Sequence, residues 1–195
     1  MAIPMASSTE HSAEHQHLGP NSTDKLFLAF LVLIVGAVTW LGVVNYQEAL
    51  KVETSKSNGE AWVEWLTETG TTRFEADTKH AACKGGVKAP ADAKADTPGT
   101  WGACLAHILA NTDLKDQINP FFNKAPHFVA ACDPKDRTLM GAILLEDLMP
   151  TPPGSATPFV ASQLLETDSI DYKMQLRLSV CDKGGYAIKV AEFEF

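Results

Sequence analysis

The chain has 195 residues and a net charge of −8, from 16 Lys and Arg against 24 Asp and Glu. That balance excludes nucleic acid as the main partner, since phosphate recognition needs clustered Lys and Arg, and it supplies no polybasic run for an anionic lipid surface. The four cysteines, Cys83, Cys104, Cys132 and Cys181, all lie beyond the apolar segment described below. An even number there points to two disulfides in an oxidising compartment.

Residues 1–24 are polar, rich in Ser and His, with Pro4 and Pro20. They lack an apolar period and read as a disordered tail, with His11, His15 and His17 solvated rather than ligating a metal. Leu26 to Val44 carries no charge, and only Thr39 and Trp40 have polar side-chain atoms. As a helix it extends roughly 28 Å, the thickness of a bilayer's hydrocarbon core. A transmembrane helix over 25–45 follows, with Trp40 and Tyr46 as interfacial aromatics. The long acidic approach (Glu10, Glu14, Asp24) and the lack of an A-x-A-like site argue for an uncleaved signal anchor rather than a signal peptide. The cysteines place residues 46–195 outside the cytoplasm, in the periplasm or at the cell surface. The charge rule does not support that topology, with Lys25 before the helix and Lys51 and Lys56 after it, but so small a difference is outweighed by the cysteines. Within the span, Ala29, Gly36 and Ala37 fall near one side and offer a surface for a neighbouring helix, with Gly42 off that stripe.

After the span, residues 46–56 continue in good helix formers. Ser57-Asn58-Gly59-Glu60 has the form of a capping box, so a new helix starts there or the first kinks at Gly59. Ala61, Trp62, Trp65 and Leu66 make an apolar stripe, read as core, and Gly70 is a stop signal. Lys84–Thr100 is a Gly-, Ala- and Pro-rich loop. A short helix is predicted over Trp101–Ala110 and a further turn over Thr112–Ile118. His127–Cys132 and Leu139–Asp147 read as strands, Met149–Pro158 as a loop and Phe159–Leu165 as a helix. In Lys173–Val180, Met174, Leu176, Leu178 and Val180 share one face. Gly184-Gly185 turns the chain into a last strand, Tyr186–Phe195, whose apolar parity needs a bulge near Ala191. Helices first and an antiparallel meander last make an α+β domain over 46–195.

No motif carries catalysis: G-x-S-x-G, a phosphate loop, H-E-x-x-H and C-x-x-C are all missing. Asp133, Asp136, Glu146 and Asp147 read as solvated faces or turn caps rather than a catalytic pair. His80-x-x-Cys83 and Cys104-x-x-His107 form two half-sites with tetrahedral zinc ligands in reach of one another. The competing reading, preferred in an oxidising compartment, is a Cys83–Cys104 disulfide closing the Lys84–Thr100 loop, with Cys132–Cys181 joining two strands. No cofactor is expected.

An apolar helix running into a soluble one over 26–69, then a loop, the 173–195 hairpin and the late Cys132/Cys181 pair form an outline that resembles type IV pilins and pseudopilins. The prepilin cleavage motif is missing: no Gly immediately precedes the apolar run, and the run contains no Glu. No site residue therefore follows from the resemblance. The favoured reading is a non-enzymatic, single-pass membrane protein, a structural or accessory subunit of an envelope assembly. Its partners are the membrane and other membrane subunits or copies of itself. A pilin-like filament subunit and a metal- or ligand-binding extracytoplasmic domain are the alternatives.

Overall fold

The structure is a computed structural model that describes residues 21–195. The residues read as a tail, with His11, His15 and His17, lie outside the described residues except for 21–24. The chain divides into two compact units, Met1–Asn45 and Tyr46–Phe195. One α-helix, α1 (Ser22–Thr72, 51 residues), is continuous across that division. It starts at Asn21, whose side chain accepts from Ser22 N at 2.9 Å while Asp24 accepts from Asn21 N at 3.1 Å. These contacts satisfy donors that a helix start leaves orphaned, so residues 22–24 belong to the helix and not to a tail.

In the first unit every described residue is exposed. Among the described residues this is the one helix long and apolar enough to cross a membrane. Thr39, the one hydroxyl between Leu26 and Val44, donates to the Val35 carbonyl at 2.8 Å, so its polar atom is satisfied within the helix.

In the second unit α1 buries Ser55, Gly59, Trp62, Leu66 and Thr69. The spacing alternates between four and three residues, which keeps them on one stripe. The expected break at Gly59 does not occur. A Cβ there would stand 3.0 Å from a Val180 methyl and 3.1 Å from methyls of Leu178 and Val190, so this glycine lets the sheet approach an unbroken helix. Gly70 lies two residues before the end of α1 and also allows a close approach, because a Cβ on it would lie 2.8 Å from Phe195 Cα.

The sheet has four strands: β1 (Ile143–Pro150), β2 (Phe159–Gln163), β3 (Gln175–Cys181) and β4 (Ala187–Glu194). All pairs are antiparallel, in the order β2-β1-β3-β4. It is thus two hairpins side by side rather than a meander. The connector after β2 crosses the start of α2 (Trp101–Asn111), where Trp101 N and Gly102 N donate to the carbonyls of Asp168 and Glu166 at 2.9 and 2.8 Å. That detour delivers β3 to the far side of β1. Phe159–Gln163 is a strand and not a helix: it pairs with β1 from Glu146↔Gln163 to Pro150↔Phe159. His127–Cys132 forms no full strand but makes a parallel bridge through Phe128↔Ile143. The register of β3 and β4 shifts between Leu178 and Ser179, opposite Ala191 and Lys189. Val190 is the extra residue, and Phe193 and Phe195 thereby turn inward beside Leu176 and Met174.

The core joins Trp62 and Leu66 of α1, Trp101 and Ile108 of α2, and the inner faces of β1, β3 and β4. Trp62 meets Phe128 edge-on at 5.0 Å and Trp101 meets Phe195 at 6.1 Å. Disulfides link Cys83 to Cys104 and Cys132 to Cys181. The first ties the turn Ala81–Cys83 to α2; the second ties the 127–132 segment to the end of β3.

Candidate functional site

The sequence-derived metal set resolves into two separate things. Cys83 and Cys104 are fully buried and bonded to each other. Their sulfurs cannot ligate a metal in this state, because the ligand is the thiolate. The four-ligand alternative His80, Cys83, Cys104, His107 is therefore corrected. Among the described residues no group of three or more His, Cys, Asp or Glu side chains is arranged to hold a metal ion.

The two histidines nevertheless meet. His80 Nδ1 stands 3.2 Å from His107 Nε2. Their ring centroids are 5.5 Å apart, so the two ring radii account for the difference and the nitrogens face each other along one line. That is the geometry of one N–H···N hydrogen bond. The disulfide explains the meeting: it brings the turn at 81–83 onto α2, and His107 lies one helical turn after Cys104. Asn111, a further turn on, places its Nδ2 3.2 Å from His107 Nδ1 and 2.9 Å from the His107 carbonyl. Trp65 of α1 packs edge-on against the other side of His80 at 4.9 Å. Burial first, and His107 second, lower the proton affinity of His80 below the ordinary imidazole value.

Two shallow clefts open beside this group and share Trp65, Glu68 and His80. One continues along Thr72, Glu75, Asp77 and Lys79, the other along Glu64, Asn111 and Asp113. The rim is acidic and open to solvent.

The acidic neighbours have structural partners. Asp133 accepts from Lys135 N at 2.8 Å and Asp136 from Thr138 N at 2.9 Å, both as turn caps. Glu146 pairs across the sheet with Arg177 at 2.9 Å, and Asp147 accepts from the Tyr172 hydroxyl at 2.8 Å.

One buried cation went unremarked in the sequence. Arg73, the residue after α1, is fully buried. Its guanidinium donates to the carbonyls of Ile170 at 2.6 Å, Tyr172, and Phe195 at 3.3 Å. It lies over the rings of Phe195 at 4.2 Å and Phe74 at 4.7 Å. Burial lowers its pKa to about 10, which leaves it charged at neutral pH. No neighbouring spacing announces such a residue, because its acceptors are main-chain carbonyls up to 122 residues away.

In the first unit, the Ala29, Gly36 and Ala37 stripe is exposed. A Cβ on Gly36 or on Gly42 would meet nothing within 4 Å. No family profile, curated protein or solved structure matches the chain.

Proposed function

We propose that the chain is a non-enzymatic, single-pass membrane protein whose residues 46–195 form an extracytoplasmic domain, and that it serves as a structural or accessory subunit of an envelope assembly. One observation carries the reading. A single uninterrupted helix of 51 residues is uncharged and apolar on all sides from Leu26 to Val44, yet buries a narrow stripe in a disulfide-bonded domain from Ser55 to Thr69. In water, an apolar surface of that extent on a cylinder would self-associate; in lipid it is at equilibrium. The two disulfides favour an oxidising compartment for the second unit. The Ala29, Gly36 and Ala37 side supplies a close-packing surface for another membrane helix, where packing rather than hydrophobicity drives association.

A pilin-like filament subunit is the second reading. It is favoured by the antiparallel sheet laid along the second half of the same helix, with Cys132–Cys181 closing the sheet's end.

Carbonate extraction of membranes, combined with protease treatment of spheroplasts, tests the first reading. The intact chain stays in the membrane and residues 46–195 are digested from outside. Release by carbonate, or a protected domain, refutes it. Mild-detergent purification then separates the two readings: co-purifying membrane subunits uphold the first, and filaments sheared from the cell surface uphold the second. Gly36→Leu weakens either association without affecting insertion.

A further inference from the structure

We infer that the facing imidazoles of His80 and His107 are a pH-operated latch, which holds the segment from the end of α1 to Cys83 against α2 and opens when both rings are protonated. The hydrogen-bond chain assigns each proton. Asn111 Nδ2 donates to the His107 carbonyl at 2.9 Å, which fixes the amide orientation, and its other hydrogen points to His107 Nδ1 at 3.2 Å. His107 Nδ1 therefore accepts, and its hydrogen resides on Nε2. That hydrogen is donated to His80 Nδ1, 3.2 Å away.

The first added proton is tolerated. At His107 Nδ1 it displaces only the exposed Asn111, and Nε2–H still donates to His80. The second proton is not tolerated, because it sets N–H against N–H and two like charges along one line. The groups facing the pair determine where the strap goes. On α1, Glu64 and Glu68 line the cleft beside His80; on the strap, Glu75, Asp77 and Lys79 do so; beyond α2, Asp113 does. Glu68 favours the charged ring, while burial, His107 and Lys79 oppose it. A charged His80 thus leaves a cationic partner for an acidic rim on its open side. The Cys83–Cys104 bond three residues on limits the excursion, so the strap swings on a covalent hinge and the fold stays closed.

The sign follows from the direction of the shift. His80 in the folded chain holds a proton less readily than in the unfolded chain, whose ordinary value is 6.5. The latch's contribution is complete above that value and is lost as pH falls through the lower folded-state value.

Amide hydrogen exchange of the full chain in detergent micelles tests the latch, at about pH 7.5 and about pH 5, corrected for intrinsic rates. Peptides spanning 75–84 exchange at least ~10-fold faster at the lower pH, while those of β3 do not change. His107→Gln still donates an amide hydrogen to His80 but takes up no proton, so the acceleration disappears; His80→Gln abolishes it too. Equal protection of 75–84 at both pH values in the wild type overturns the proposal, as does acceleration that persists in both glutamine variants. Should a variant fail to fold, ring titration of the wild type by NMR decides. Two steps separated by more than about one pH unit uphold the latch, and a single common step overturns it.

Discussion

Gly70→Ala is the sharpest test of how α1 meets the sheet. Alanine in a helix is favoured over glycine by up to about 1 kcal/mol, so propensity alone makes the substitution stabilising. The added methyl, however, would sit 2.8 Å from Phe195 Cα and 2.9 Å from the Glu194 carbonyl oxygen, both main-chain atoms of the strand edge. Main chain held in a sheet yields less than a side chain does. The cost lies near the upper end of the 1–3 kcal/mol that overpacking brings, about 3 kcal/mol. The net loss is about 2 kcal/mol, or roughly 4–8 °C in Tm for a unit of this size. Gly59→Ala provides the contrast. The atoms nearest its methyl are side-chain methyls of Val180, Leu178 and Val190, at 3.0–3.1 Å. These give by a few tenths of an ångström, and the substitution comes out within about 0.5 kcal/mol of neutral. Gly36→Ala meets nothing and leaves the unfolding of the second unit unchanged. Urea and thermal melts of the oxidised protein, followed by far-UV circular dichroism and tryptophan emission, give the three values. A Gly70→Ala protein that melts at or above the wild type, or a Gly59→Ala protein less stable than Gly70→Ala, refutes the packing argument.

Arg73→Ala leaves the Ile170 and Tyr172 carbonyls without its guanidinium, while the Phe195 oxygen keeps Met174 N, and costs about 1–3 kcal/mol for each carbonyl left unpaired in urea unfolding. Arg73→Met fills the space between the two phenylalanine rings and costs less. Opening Cys132–Cys181 by a double serine substitution costs about 4 kcal/mol, against about 3 kcal/mol for Cys83–Cys104, because the closed loops differ in length; denaturant titration gives that rank order. The Tyr172 phenol, pushed up to about 12 by burial and then by its bond to Asp147, ionises well above the ordinary phenol value in an ultraviolet titration. Asp147→Asn brings it down. Its contribution to stability is complete below the ordinary phenol value of 10.0 and is lost as pH rises through about 12.

What the sequence discloses depends on the range of the forces involved. The alternation of Met174, Leu176, Leu178 and Val180, and the parity slip near Ala191, are local patterns that need no partner to be read. Gly59 misleads for the opposite reason. A glycine in a helix reads as a break until the opposing surface is known, and that surface lies in β3 and β4. Phe159–Gln163 has no alternation because it is an edge strand with outer residues exposed, so pairing with β1 rather than pattern determines it. The strand order follows from backbone contacts between the connector after β2 and the start of α2, which no side-chain pattern encodes. At the histidine pair, the spacing to each cysteine showed that the residues would meet. It did not show what they do on meeting. Asn111 and Trp65, which orient the two rings, stood outside the motif.

The second half of α1 has a further consequence for biogenesis. Its buried stripe has few partners nearby in the chain, and the carbonyl of Phe195 that Arg73 bonds lies 122 residues downstream. At ordinary elongation rates of about 5–20 residues per second, Trp62 and Leu66 wait roughly 6–24 s for the strands that cover them. On the extracytoplasmic reading proposed above, the nascent helix is during that interval a client for whatever shields apolar surface at the translocation site. The 83–104 bond closes over a short stretch already made, so an oxidase can set it early. The 132–181 bond must wait for β3. The order of oxidation is then a clock for how much of the domain has emerged, and a pulse-labelled chain arrested before residue 175 would carry the first disulfide on a helix still lacking its sheet.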